Sequence, residues 1–138
     1  MSAISPFGLT VVFTNGTYDI FHAGHVRLLK FCKEQGDYLV VGLNSDASVK
    51  RLKGPDRPFN TQEDRAEIVR AISYVDEVII FEEDTPYELI KQINPDIIVK
   101  GGDYKAEEVV GHDLAEVRIF PYIIGHSTTN LAKKILSL

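Results

Sequence analysis

Five short apolar runs, separated by helical patterns, constrain the fold of this chain more than any other feature. Each run is rich in β-branched residues and bounded by turn residues, which is typical of buried strands. The runs are continuous rather than alternating, so each strand is expected to be buried on both faces, as in a parallel sheet. They cover residues 9–13, 38–43, 77–81, 96–100 and 117–122.

One helical pattern lies between each pair of consecutive runs from the first to the fourth, and another follows the last run. Predicted helices cover residues 24–35, 61–73, 85–93 and 128–137. A strand–helix alternation with right-handed crossovers predicts an α/β fold, a Rossmann-like doubly wound parallel five-stranded sheet flanked by helices. The longest irregular stretch, "KRLKGPDRPFN" at residues 50–60, contains prolines and charges that suit a mobile loop over a site.

Length and composition narrow the class of protein. With 138 residues, 44% of them hydrophobic, the chain is expected to form a single domain over residues 1–138 with a real core. No apolar segment approaches the roughly 18 residues of a membrane span, and no signal peptide is recognisable, so we predict a cytoplasmic protein without membrane contact. The single cysteine, Cys32, is expected to be a packed thiol.

The charge pattern favours a small phosphorylated ligand over nucleic acid. A net charge of −5 disfavours a broad nucleic-acid surface. Lys50, Arg51, Lys53 and Arg57 nevertheless form a local basic island with only Asp56 to oppose them. This island is expected to face a phosphate group.

Four polar clusters follow predicted strands directly. Ligands of doubly wound sheets bind at the carboxyl ends of the strands, where helix N-termini present backbone N–H groups. The clusters are "TNGTYDIFHAGH", "NSDASVK", "KGGDY" and "GHSTTN". We expect all four to converge on one rim of the sheet.

The first cluster places two histidines at the start of a helix. Gly16 permits a tight turn, and Gly24 lets a ligand approach the helix start between His22 and His25. Neither a dinucleotide fingerprint nor a Walker loop is present. The residues favour imidazoles that donate hydrogen bonds to a phosphate, while a zinc or iron site and purely structural histidines remain alternatives.

Two of these clusters also resemble known signatures. "GTYDIFHAGH" resembles the G-x-F-D-x-x-H-x-G-H signature of the cytidylyltransferase-like nucleotidyltransferase superfamily, with Tyr18 replacing phenylalanine, and "GHSTTN" resembles its "ISTT" signature. "NSDASVKRLKGPDRPFN", "FEEDTP" and "VKGGDY" look like the adenylyltransferase family of ADP-heptose synthesis. The similarity extends over nearly the whole chain.

The resemblance implies a role for individual residues. His22 and His25 are expected to contact the nucleotide phosphates, and Lys50 matches a mobile-loop lysine that reaches phosphate oxygens. Asp19 and Asp103 are expected to bind substrate. The remaining residues that the resemblance assigns to nucleotide binding are Thr14, Asn15, Gly16, Thr17, Gly24, Arg65, Gly101, Ser127, Thr128 and Thr129.

Several of these residues have a plainer alternative. Asp19 would then only brace the turn, Lys50 would be a solvated charge, and Arg65 would form a surface ion pair. Gly101 and Gly102 would form only a turn, and Ser127 would be only an N-cap.

The activity implied by the resemblance is transfer of AMP from ATP to a sugar 1-phosphate, with Mg²⁺ on the triphosphate and a homodimeric enzyme. A cytidylyltransferase that acts on glycerol 3-phosphate is the nearest alternative. That family carries an arginine where this chain has Tyr122, and His126 departs from the second signature in either case. A nucleotide-binding module without catalysis and a metal hydrolase are further alternatives.

Overall fold

A five-stranded, all-parallel sheet organises the computed structural model, which describes residues 8–121 and 133–137. The strands are β1 (Val11–Gly16), β2 (Tyr38–Asn44), β3 (Glu77–Phe81), β4 (Ile97–Gly101) and β5 (Glu116–Phe120). Their order in the sheet is β3-β2-β1-β4-β5. The predicted parallel α/β sheet is therefore confirmed.

Strand β1 reaches further into the polar cluster than the apolar pattern predicts. The prediction ended at Phe13, but the ladder continues to Gly16, which pairs with Leu43 of β2. Buried Thr14 contributes by donating its hydroxyl to the Val99 carbonyl of β4, at 2.8 Å. Backbone pairing with β2, together with this side-chain bond to β4, thus keeps polar residues in the strand.

Four helices connect the strands: α1 (Ala23–Glu34), α2 (Asp46–Lys53), α3 (Gln62–Arg70) and α4 (Tyr87–Ile93). Three of them match predicted helices within a few residues, and residues 133–136 are helical within the fourth prediction. Residues 128–132 of that prediction lie outside the described residues. A short 3₁₀ helix, Ala106–Glu108, was not predicted.

Helix α2 corrects the prediction of an irregular stretch over residues 50–60. Ser45 caps its start by accepting a hydrogen bond from Ser48 N, and Gly54 ends it with a φ of 107°. Lys50 therefore lies on a helix, not in a loop. Of the predicted stretch, only residues 54–60 are irregular.

Apolar side chains cover both faces of the sheet. On one face, Leu29 and Cys32 of α1 and Val69 of α3 pack against the strands. On the other, Ile90 of α4 packs with Phe13. The Cys32 side chain is fully buried, as predicted, and burial raises the pKa of its thiol to about 12. No helix in the described ranges has the length and hydropathy of a membrane span.

A fully buried arginine joins the segments that surround the carboxyl edge of the sheet. The Arg65 side chain has 0% exposure and extends from α3 beneath the β1–α1 turn. It donates hydrogen bonds at 2.8–3.0 Å to the carbonyls of Thr17, Asn44 and Asn60 and to the carboxylate of Asp46. One guanidinium thereby fixes the turn after β1, the end of β2, the start of α2 and the approach to α3.

Replacing Arg65 should destabilise the fold strongly. Arg65→Met keeps much of the side-chain volume but leaves three carbonyls and a carboxylate without their donor, so we expect a loss of about 3–5 kcal/mol in the free energy of unfolding. Arg70→Met is the matched control, because Arg70 is exposed in the last turn of the same helix, and it should change stability by about 0.5 kcal/mol or less. Urea unfolding followed by circular dichroism measures both; equal midpoints would contradict the bracing role.

Candidate active site

The two histidines of the first cluster cap helix α1 reciprocally. His22 is the N-cap residue, and its Nδ1 accepts a hydrogen bond from Gly24 N at 3.1 Å. His25 reaches back, and its Nδ1 accepts from His22 N at 3.1 Å. Two imidazoles thus occupy the positions that a hydroxyl and a carboxylate occupy in an ordinary capping box.

This capping fixes the protonation pattern of both rings. A nitrogen that accepts from a backbone N–H carries no proton, so each neutral ring holds its proton on Nε2. Burial, followed by the neighbouring His22 and Lys53, lowers the pKa of His25 to about 4. At neutral pH His25 is therefore an uncharged Nε2–H donor at a helix N-terminus.

Aromatic packing holds His25 in place. The rings of Tyr18 and Phe21 each lie with their centroids 5.1 Å from that of His25. Tyr18 is buried with a φ of 49°, and a Cβ at Gly16 would lie 2.9 Å from its ring. Gly16 therefore makes room for the tyrosine ring, in addition to any contact with a ligand, and Tyr18 fills the signature's phenylalanine position.

Asp19 anchors the segment between α2 and α3. Its carboxylate has 0% exposure and accepts from Phe59 N, Asn60 N and Arg57 Nε at 2.8–3.1 Å. The Arg57 guanidinium also lies 4.6 Å from the centroid of the Phe59 ring. This geometry favours the bracing alternative for Asp19 over substrate contact, and it ties residues 54–60 to the signature turn.

Arg65 does not form the surface ion pair that was the alternative to nucleotide binding, because its side chain is fully buried. Its hydrogen bonds to four protein acceptors favour a bracing role over contact with a nucleotide. The Thr14 hydroxyl donates a hydrogen bond to the Val99 carbonyl, and the Thr17 carbonyl accepts one from Arg65. Half-buried Asn15 lies at the same strand end, where nucleotide contact stays a prediction.

The basic island divides into residues with different partners. Lys50 is exposed on α2, and Arg51 pairs with Asp84 at 2.9 Å. Lys53, in the last turn, is also exposed, and its charge is the smallest of the three effects that lower the pKa of His25. Contact of Lys50 with phosphate oxygens stays a prediction, as does the expectation that the basic island faces a phosphate group.

The turn after β4 is built by two glycines. A Cβ at Gly101 would lie 3.3 Å from Leu28, and Gly102 has a φ of 125° with the Tyr104 ring packed against it. Gly102 N donates to Phe120 O at 3.0 Å. The turn alternative is therefore well supported here, while ligand contact by Gly101 and by exposed Asp103 stays a prediction.

The second signature falls outside the described residues. Ser127, Thr128 and Thr129 lie there, together with Tyr122 and His126, so their roles stay predictions. Within residues 8–121 and 133–137, no group of three or more His, Cys, Asp or Glu side chains is arranged to hold a metal ion.

Sequence comparisons place the chain among known proteins. The family model described as cytidylyltransferase-like matches residues 13–132. The protein named "Bifunctional protein HldE" of Nitratiruptor sp. is 60% identical over 94% of this chain, and that of Campylobacter concisus is 59% identical over 91%. The chain spans only about 28% of the length of these relatives.

A solved structure supports the same relationship. The crystal structure described as the lipopolysaccharide core biosynthesis protein of Thermoplasma volcanium aligns with a TM-score of 0.70 and 29% identity. The alignment covers 84% of this chain and 98% of that one. Since the family model covers most of the chain, including the paired histidines, this chain belongs to the cytidylyltransferase-like family.

Proposed function

We propose that this chain is an adenylyltransferase that transfers AMP from ATP to a heptose 1-phosphate, giving ADP-heptose and pyrophosphate. The observation that carries the proposal is the 60% identity to "Bifunctional protein HldE" over 94% of the chain. That name describes a protein with more than one function, and this chain corresponds to a part of it. The motifs "VKGGDY" and "NSDASVKRLKGPDRPFN" support the adenylyltransferase part.

The reaction requires positioning and charge stabilisation rather than a catalytic base. An oxygen of the sugar phosphate attacks the α-phosphorus of ATP in line; the new P–O bond forms as the bond to pyrophosphate breaks. The attacking oxygen is already anionic, so no proton has to be removed. The protein must instead offset the charge of two anions that approach each other.

The capped histidines suit this task. Their Nδ1 atoms are engaged at the helix start, which orients both rings and leaves the proton on Nε2. Donors that are already oriented cost little reorganisation as charge develops on the phosphoryl oxygens. The N-terminus of α1 adds the positive end of its dipole at the same place.

Mg²⁺ is expected to arrive with the triphosphate. Held mainly by nucleotide oxygens and water, it would offset the charge of the departing pyrophosphate. The acid nearest to the histidine turn, Asp19, already accepts from two backbone N–H groups and Arg57, which fits an ion that the nucleotide carries. We further expect a homodimer, which sedimentation analysis measures.

Substrate choice is tested with a matrix of nucleoside triphosphates and phosphorylated acceptors, scored by release of pyrophosphate. ATP with D-glycero-β-D-manno-heptose 1-phosphate should exceed CTP with glycerol 3-phosphate at least tenfold in kcat/KM, or about 1.4 kcal/mol. The reverse ranking would favour the cytidylyltransferase alternative that the family description allows. Thermal stabilisation by nucleotides without pyrophosphate from any pair would favour the non-catalytic module.

Loss of the His25 imidazole should slow turnover with little effect on folding. In His25→Asn the amide oxygen replaces Nδ1 as the acceptor for His22 N, but the Nε2–H donor is lost, so kcat should fall by about 100-fold. His112→Asn is the control, because His112 is exposed after the 3₁₀ helix, where its ring bonds to Val109 O and lies outside the histidine turn. Folded H25N with wild-type kcat would contradict the phosphate role.

The low pKa of His25 predicts an unusual pH dependence. Because the folded-state pKa of His25, about 4, lies below the ordinary histidine pKa of 6.5, the unfolded chain takes up the proton first. The stability due to neutral His25 is therefore present above pH 6.5 and is lost as the pH falls toward 4. NMR titration should show neutral His25, protonated on Nε2, throughout pH 5.5–8. A measured His25 pKa near 6.5 would contradict the buried position of this ring.

A further inference from the structure

Phe59 is an aromatic side chain that the protein holds in solvent beside the turn after β1. The residue is 55% exposed, although Pro58 and Asn60 on either side of it are half-buried. Of the phenylalanines that the structure describes, Phe59 alone is exposed. Apolar packing therefore does not explain why a ring stands at this position.

The backbone that carries the ring is fixed by the buried carboxylate of Asp19. Phe59 N donates to the two carboxylate oxygens at 2.8 and 2.9 Å, and Asn60 N donates to one of them at 2.9 Å. Asn60 Nδ2 adds a bond to the Asp19 carbonyl at 2.6 Å. Asp19 directly follows Tyr18, whose ring packs against His25. Phe59 is thus attached to the turn that carries the histidines.

Arg57 supports the ring from one side. Its Cζ lies 4.6 Å from the centroid of the Phe59 ring, and its Nε donates to Asp19 at 3.1 Å. The Arg57 side chain is only 17% exposed, so the guanidinium is itself held in place. The exposed surface of Phe59 is therefore on the side away from Arg57, and the ring is a supported platform with an open face.

The sheet topology places this platform on one side of the binding crevice. Phe59 lies on the connection from β2 to β3, and the strand order β3-β2-β1-β4-β5 puts that connection on the side of β1 away from β4. Ligands of doubly wound sheets bind at the carboxyl ends of the strands where the connections diverge, which here is between β1 and β4. A nucleotide in that crevice leaves the β2 side to the second reactant.

We propose that Phe59 is a specificity-determining residue whose open face stacks against the sugar ring of the acceptor. The proposal rests on the proposed transfer to a sugar phosphate. In the β-anomer of a manno-configured pyranose, C1, C3 and C5 carry axial C–H bonds on one face, which makes that face apolar. The face of an aromatic ring is negative and attracts such C–H groups, and a platform that is fixed before binding loses little freedom. Glycerol 3-phosphate has no comparable face.

Steady-state kinetics of Phe59→Leu and Phe59→Trp test the platform. F59L keeps an apolar side chain without a ring face, so KM for D-glycero-β-D-manno-heptose 1-phosphate should rise about fivefold, while KM for ATP changes about twofold or less. F59W keeps a ring and should stay within about twofold of the wild type for both substrates. An unchanged acceptor KM in F59L, or an equal rise in KM for ATP, would overturn the assignment.

The matched control is Leu9→Ala, which should leave both KM values unchanged. Leu9 is 41% exposed and precedes β1, at the opposite edge of the sheet from the histidines. A rise in acceptor KM in L9A as large as that in F59L would overturn the local role of the ring.

Fluorescence of F59W reports the contact directly, because the chain contains no tryptophan of its own. Titration with D-glycero-β-D-manno-heptose 1-phosphate, with and without α,β-methylene-ATP, should shift the emission to shorter wavelength in at least one condition. The emission of Leu9→Trp should not change. A shift caused by the nucleotide alone would assign the ring to adenine, and a shift with protein concentration before any ligand is added would assign it to a second copy of the chain. Either result would overturn the proposal.

The same titration separates this proposal from the proposed function. A shift caused by the heptose phosphate, without pyrophosphate release from any pair of substrates, would support the platform and overturn the transfer. Pyrophosphate release without a shift in either condition would overturn the platform and leave the transfer intact.

Discussion

The buried guanidinium of Arg65 is the interaction on which the candidate site depends. It holds the carbonyls of Thr17, directly after β1, and of Asn44, at the end of β2, and so fixes the distance between the histidine turn and α2. Asp19 extends the same network to residues 54–60 through Arg57 and two backbone N–H groups. Since buried charges are stable only when they are paired and hydrogen-bonded, these two residues specify one arrangement of four segments.

Much of the fold could be predicted because its strands are continuous apolar runs. Helix α2 could not, because it is eight residues long and buries only Ser48 and Val49, which gives too little apolar periodicity to detect. The extension of β1 to Gly16 was also missed, since backbone pairing with β2 and not side-chain character keeps that segment extended. Both errors lie where the strands meet the site.

In the candidate site, local placement could be predicted from the sequence, but the burial of charged side chains could not. Motif spacing was enough to place His22 and His25 together at one helix start, because both belong to one local turn. A sequence carries no measure of burial for a charged residue, so Arg65 was expected at the surface or at the nucleotide, whereas its side chain is fully buried. The burial of Arg65 depends on how α3 packs over the ends of β1 and β2, which is a property of the tertiary structure.

The protonation of the two histidines determines what they can contribute to the proposed transfer. A ring that accepts a backbone N–H on Nδ1 orients a donor but supplies no net charge, and burial keeps His25 in that state at neutral pH. In the proposed transfer, compensation for the charge of the phosphates must then come from groups other than these two rings. The paired histidines thus contribute orientation, and not charge, to the candidate site.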